Sequence, residues 1–105
     1  MGGSMKRENQ LIISLKDLYI SSYLKALSFP LHDATLDTHG RTLFHFIETP
    51  DLKKALMRFY DGTAIVSPSA FIESFKSLRS LAYSLSDKKN MEVKKYGNSN
   101  QIYQA

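Results

Sequence analysis

A small α+β fold is the expectation for this chain: a small antiparallel sheet packed by three helices, in the order β-α-β-β-α-α, followed by a disordered basic C-terminal tail. Three observations predict it. Leu11, Ile13 and Leu15 alternate with other residues, two strand-like runs flank Gly40, and two hydroxyl-Pro pairs each precede an apolar stripe of helical period. With 105 residues, 43% of them hydrophobic and 23% charged, one domain is expected. A domain of this size buries roughly 60 to 65% of its extended surface, which supports one modest core but no deep enclosed substrate cavity as well.

Met1-Gly2-Gly3-Ser4 before a second methionine reads as an expression scar, leaving residues 5–87 as the domain and 88–105 as the tail. The run from Gln10 to Leu15 predicts the first strand, with Ile12 on the face opposite Leu11, Ile13 and Leu15. Ser14 and Asp17 stand three apart like a short-armed capping box, and Leu18, Ile20, Tyr23, Leu24 and Leu27 continue at helical spacing toward Phe29-Pro30. Ser21 and Ser22 are small residues in the middle of that helix, where another element can approach closely.

Leu31 to Glu48 predicts a hairpin, because Gly40 and a tolerant His39 can supply the positive φ angles of a two-residue turn. That turn sets Leu36 opposite Leu43, Ala34 opposite His45 and His32 opposite Ile47. Both faces are then mixed. Burying Phe44 and Phe46 gains roughly 1.5 to 3 kcal/mol each, which favours their face inward unless a bulge shifts one strand.

Thr49-Pro50 places a hydroxyl N-cap before a proline whose missing N–H costs nothing at the first helical position. Leu52, Ala55, Leu56, Phe59 and Tyr60 follow as an apolar stripe, and Gly62 supplies the stop. Ala64-Ile65-Val66 suggests a short extended segment. Ser67-Pro68 repeats the start signal, and Phe71, Ile72, Phe75, Leu78, Leu81, Ala82 and Leu85 form the stripe of a third helix. Phe71, Phe75 and Leu78 are expected to share one core with the two hairpin phenylalanines. Beyond Asp87 the periodicity ends in a Lys-rich, then Asn/Ser/Gln-rich stretch that reads as a mobile tail.

The run from Ser14 through Tyr23-Leu24, then Phe44-His45-Phe46 after a Gly turn, then Phe59-Tyr60-Asp61-Gly62 and a final amphipathic helix, resembles a family of short uncharacterised bacterial and phage domains. The similarity spans roughly Leu11 to Leu85, and its motifs are capping and core residues. The resemblance implies a fold and no catalytic residue, since that family is a domain of unknown function.

Charge is unevenly distributed. Met1 to Glu48 holds five basic and five acidic residues, Thr49 to Asp87 five and four, and the stretch from Lys88 onward four and one, so the tail carries +3 of the total +4. The folded part lacks the basic stripe of a dedicated duplex binder, while a basic arm can add phosphate contacts. On the second helix Lys53 and Lys54 adjoin Arg58, and the third adds Lys76 and Arg79; if those faces meet, they form a five-cation patch suited to phosphates. Lys88, Lys89, Lys94 and Lys95 extend the candidate set into the tail. A solvated helix face and a solubilising tail are the plain readings of the same residues.

Other chemistry finds less support. Phe44-His45-Phe46 has the alternate aromatic spacing of a base-stacking strand, but lacks the glycine and basic residues of an RNA-recognition motif. Tyr19, Tyr23, Tyr60 and Tyr83 fit core-edge positions. His32 and His45 share a face in the expected register without a third metal ligand, and no Gly-rich phosphate loop or nucleophile elbow is present. With no cysteine there is no disulfide framework, thiolate metal site or cysteine nucleophile. These features predict a cytoplasmic, non-enzymatic accessory module with no cofactor, metal or membrane association. Its expected partner is nucleic acid or a nucleic-acid-handling complex. A protein-interaction module, such as a phage-encoded inhibitor or a homodimer using exposed aromatics, is the alternative.

Overall fold

The computed structural model describes the backbone of residues 10–96 and the side chains of residues 10–88. In chain order the elements are β1 (Ile12–Leu15), α1 (Leu18–Ala26), β2 (Leu31–Leu36), β3 (Thr42–Ile47), α2 (Pro50–Asp61) and α3 (Pro68–Tyr96). The α+β order expected from the sequence is therefore the one observed. The three strands form one antiparallel sheet ordered β1-β3-β2, which makes β3 central and leaves β1 and β2 as edges.

Burial alternates along β3 with period two. Phe44 and Phe46 are buried while Leu43, His45 and Ile47 are half-exposed, so the phenylalanine face is the core face. Ile13 and Leu15 on β1 pair with Phe46 and Phe44 and pack against the same core.

The hairpin closes differently from the two-residue turn expected at His39-Gly40. Such a turn needs two residues at positive φ, and here only Gly40 adopts one, at 80°. Asp37 N–H instead donates to the Arg41 carbonyl at 2.8 Å, and the Asp37 carboxylate accepts the N–H groups of His39 at 2.8 Å and Arg41 at 2.9 Å. The register is corrected by one residue: Ala34 faces Phe44, Thr35 faces Leu43 and Leu36 faces Thr42. A bulge between Leu31 and Asp33 then brings Leu31 opposite Phe46, so Leu31 and Ala34 both reach the core. The slip thus gathers the apolar core residues on one face and leaves Ile12, Leu43 and Ile47 with Ser14, Asp33, Thr35 and His45 on the other.

Asp17, rather than Ser14, caps α1, accepting the N–H groups of Tyr19 at 2.7 Å and Ile20 at 3.0 Å. The five consecutive residues Ile20 to Leu24 are all buried, so at its middle this helix is enclosed on every side. Its most extensive helix packing is against α3, with further contact to α2 and β1. Ser21 and Ser22 are fully buried, and their hydroxyls donate to the carbonyls one turn back, of Asp17 at 2.8 Å and Leu18 at 2.7 Å. Small side chains with internally satisfied hydroxyls let a neighbour approach at no polar cost. Tyr23 ties α1 to α2, its buried hydroxyl donating to the Ala55 carbonyl at 2.8 Å. After Leu27 the chain turns through Ser28 at φ 76°.

Thr49 accepts Leu52 N–H at 3.1 Å ahead of Pro50, and Gly62 ends α2 at φ 83°, as the sequence signals. Ala64-Ile65-Val66 is loop rather than strand, with Thr63 and Ala64 donating to the Arg58 carbonyl. On α3, Leu78 lies in the core and Phe71 and Ala82 pack against it, whereas Phe75 stacks on Tyr19 outside it. That corrects the expectation that Phe75 is a core residue. Three positions along a helix leave it turned roughly 60° from Leu78, onto the flank of the stripe. Helical backbone also runs past Asp87 to Tyr96, since Lys, Asn, Met and Glu sustain a helix and no Gly or Pro intervenes. Residues 97–105 of the expected tail lie outside the described residues.

Candidate nucleic-acid interface

Four of the candidate cations form two pairs, one on α2 and one on α3. On α2, the exposed Lys53 stands 3.9 Å from the half-buried Glu48, the sole salt bridge among the described residues. Lys54 and Arg58, one turn apart and exposed, line a concavity of about 620 Å³ floored by Tyr23, Leu27, Phe29 and Ala55, with Asp51, Thr63 and Ile65 at its sides. Burial raises the pKa of the Tyr23 hydroxyl, with the charge of Arg58 opposing that shift. Beside the loop, the Thr63 hydroxyl and then its N–H hold the Asp61 carboxyl below the usual range.

The second pair, Lys76 and Arg79, belongs to α3 and lines a groove of about 270 Å³ together with Tyr19, Phe71, Ile72 and Phe75. No residue is common to the two concavities, and α1 packs against both helices that carry the pairs. Lys54 with Arg58 and Lys76 with Arg79 therefore line two separate concavities, one beside each helix. Lys88 is exposed further along α3, while Lys89, Lys94 and Lys95 lie on its helical backbone with side chains outside the described residues.

Around the α3 pair the aromatic rings are ordered. Tyr19 stacks on Phe75 with centroids 5.5 Å apart and planes 17° off parallel, and Phe71 lies 6.4 Å from Phe75 at 24°. The Arg79 guanidinium sits 5.7 Å from the Phe75 centroid and 6.0 Å from that of Tyr83. Tyr19 and Tyr83 are 60% and 61% exposed, and Ile72 is 50% exposed. Sequence reading missed this cluster by placing Phe75 in the core and the tyrosines at its edge. The available signal was the spacing Ile72, Lys76, Arg79, Tyr83, a second helical stripe beside the core stripe.

Phe44 and Phe46 are fully enclosed and so offer no stacking surface. The opposite face of the sheet instead carries His45, whose Nδ1 is 2.7 Å from Ser14 Oγ and whose Nε2 is 2.8 Å from Thr35 Oγ1. His32 sits at the bulge, and among the described residues no three His, Asp or Glu side chains gather where a metal ion could bind. None of the described helices is long and apolar enough to cross a membrane.

Comparison with protein-family models, curated proteins and solved structures gave no match. The likeness to uncharacterised bacterial and phage domains accordingly rests on the residues that suggest it.

Proposed function

We propose that this chain is a small non-enzymatic accessory module that contacts nucleic acid, or a complex that handles it, through the cations of α2 and α3. One observation carries the reading: among the described residues Lys54, Arg58, Lys76 and Arg79 have no acidic partner within salt-bridge distance, and each pair lines a concave surface, the first with Asp51 at its side. Cations without an intramolecular partner retain their charge for an external anion, and phosphates are the anions such surfaces meet in nucleic acids. Lys88, Lys89, Lys94 and Lys95 add further positive charge.

Titrating labelled single-stranded and duplex oligonucleotides at about 50 mM and 200 mM salt tests this, because each neutralised phosphate contributes a slope of about −0.7 on single strands and −0.9 on duplex. Binding that weakens steeply with salt, and weakens further on Lys54→Glu with Arg58→Glu, supports the reading. No binding at the lower salt overturns it. The second reading, a protein-interaction module, draws on the exposure of Tyr19, Ile72 and Tyr83 around an apolar groove. Apolar association changes little over the same salt range, so one titration separates the two.

A further inference from the structure

We propose that the groove between α1 and α3 is a stacking site for unpaired bases, giving the module a preference for single strands over duplex. This deepens the nucleic-acid reading above and rests on it. The argument begins with ring area. Tyr19, anchored against Phe75, keeps 60% of its surface exposed, and Tyr83 keeps 61%. Each therefore has area to offer a further planar ring, and every base has a π-face suited to it. At about 270 Å³ the groove lies below the roughly 300–1,000 Å³ of pockets that enclose drug-sized ligands, a size suited to one ring system at a time.

Charge supplies the second half of the argument. Arg79 lies between Phe75 and Tyr83, and Lys76 and Arg79 line the same groove as Tyr19, so the groove joins an exposed ring to two cations with no acidic partner within salt-bridge distance among the described residues. Alternating rings and cations match the alternation of base and phosphate along one strand. An apolar peptide segment would fill the groove without engaging either charge. A duplex presents phosphates but keeps its bases stacked on one another, so it satisfies the cations and leaves the rings unused.

The test uses the full chain with a labelled oligothymidine of about 12 nucleotides and a duplex of equal length at low salt. The expected result is tighter binding of the single strand. Tyr19→Leu, which keeps an apolar side chain and removes the π-face, should weaken single-strand binding about five- to 150-fold, leave duplex binding unchanged and preserve the salt slope. Lys76→Gln should reduce that slope by about 0.7. Melting curves check that both variants remain folded. Equal affinity for the two oligonucleotides, or a Tyr19→Leu variant that binds like the parent while Lys76→Gln weakens both, overturns the stacking site and leaves the phosphate-contact reading standing. Failure of the parent to bind either oligonucleotide overturns both.

Discussion

His45 is held at both ring nitrogens, by Ser14 on one neighbouring strand and Thr35 on the other, and so links all three strands on the outer face of the sheet. Removing the imidazole releases two hydroxyls that water can reach, so His45→Ala should cost about 1 to 2 kcal/mol rather than the larger penalty of a buried orphan. A thermal melt reads that loss, and an unchanged midpoint would show that the cross-strand bonds contribute nothing. Asp37 acts locally instead. Its carboxylate accepts two turn N–H groups, and the Arg41 N–H is the main cause that lowers its pKa from 3.8. A carboxyl with a depressed folded pKa stabilises the fold above its unfolded value, and that contribution is lost as pH falls through the folded value below it. Asp37→Asn keeps an acceptor for the turn but cannot titrate. The variant should therefore show a flatter decline in melting temperature below about pH 4 than the parent. Identical acid limbs would assign the decline to other carboxyls. Neither residue's role is legible in the sequence at the same depth. Asp37 two residues before His39 is a local turn signal, whereas Ser14 and His45 are 31 positions apart and meet only through the sheet.

At the scale of elements, α3 separates residues that one apolar pattern treats alike. Leu78 is 1% exposed within the core, so Leu78→Ala should cost about 2 to 5 kcal/mol through lost burial and the cavity left behind. Phe75, half-buried against Tyr19, should cost distinctly less on the same truncation although its side chain is larger. Chemical denaturation of the two variants checks the order, and the reverse order would return Phe75 to the core. The elements themselves were legible because their signals are local: Thr49 before Pro50, Gly62 at a left-handed stop, and stripes at helical spacing. Hairpin register was not, because it turned on a single dihedral choice at His39 that composition leaves open. The α1/α3 groove was legible only in part. Its cations are plain in the sequence, but Tyr19 and Phe75 come from different helices, and their stacking follows from the packing of α1 against α3.

At the scale of the whole molecule, the core of the described residues and the net charge of the sequence fall in different parts of the chain. The core residues run from Ile20 to Leu78, with the last flanking contribution from Ala82, while the chain from Lys88 onward holds four basic residues and one acidic. Truncation after Asp87 should thus leave the melting temperature nearly unchanged, since it removes none of the core cluster found among the described residues. Its effect should fall on association. Four lysines removed with one glutamate is a net loss of +3, and an exposed charge acts through phosphate contact and steering rather than through folding. If each removed lysine neutralises one phosphate, the salt slope on single strands should become shallower by up to about 2.8. Groove stacking, which involves no counterion release, should survive, so the truncated form should still distinguish single strand from duplex at about 50 mM salt. A slope identical to the full chain's would place all phosphate contacts on the basic residues before Lys88. A truncated chain that melts well below the full one would instead show that α3 beyond Asp87 contributes to the fold, through packing that its charged sequence does not signal.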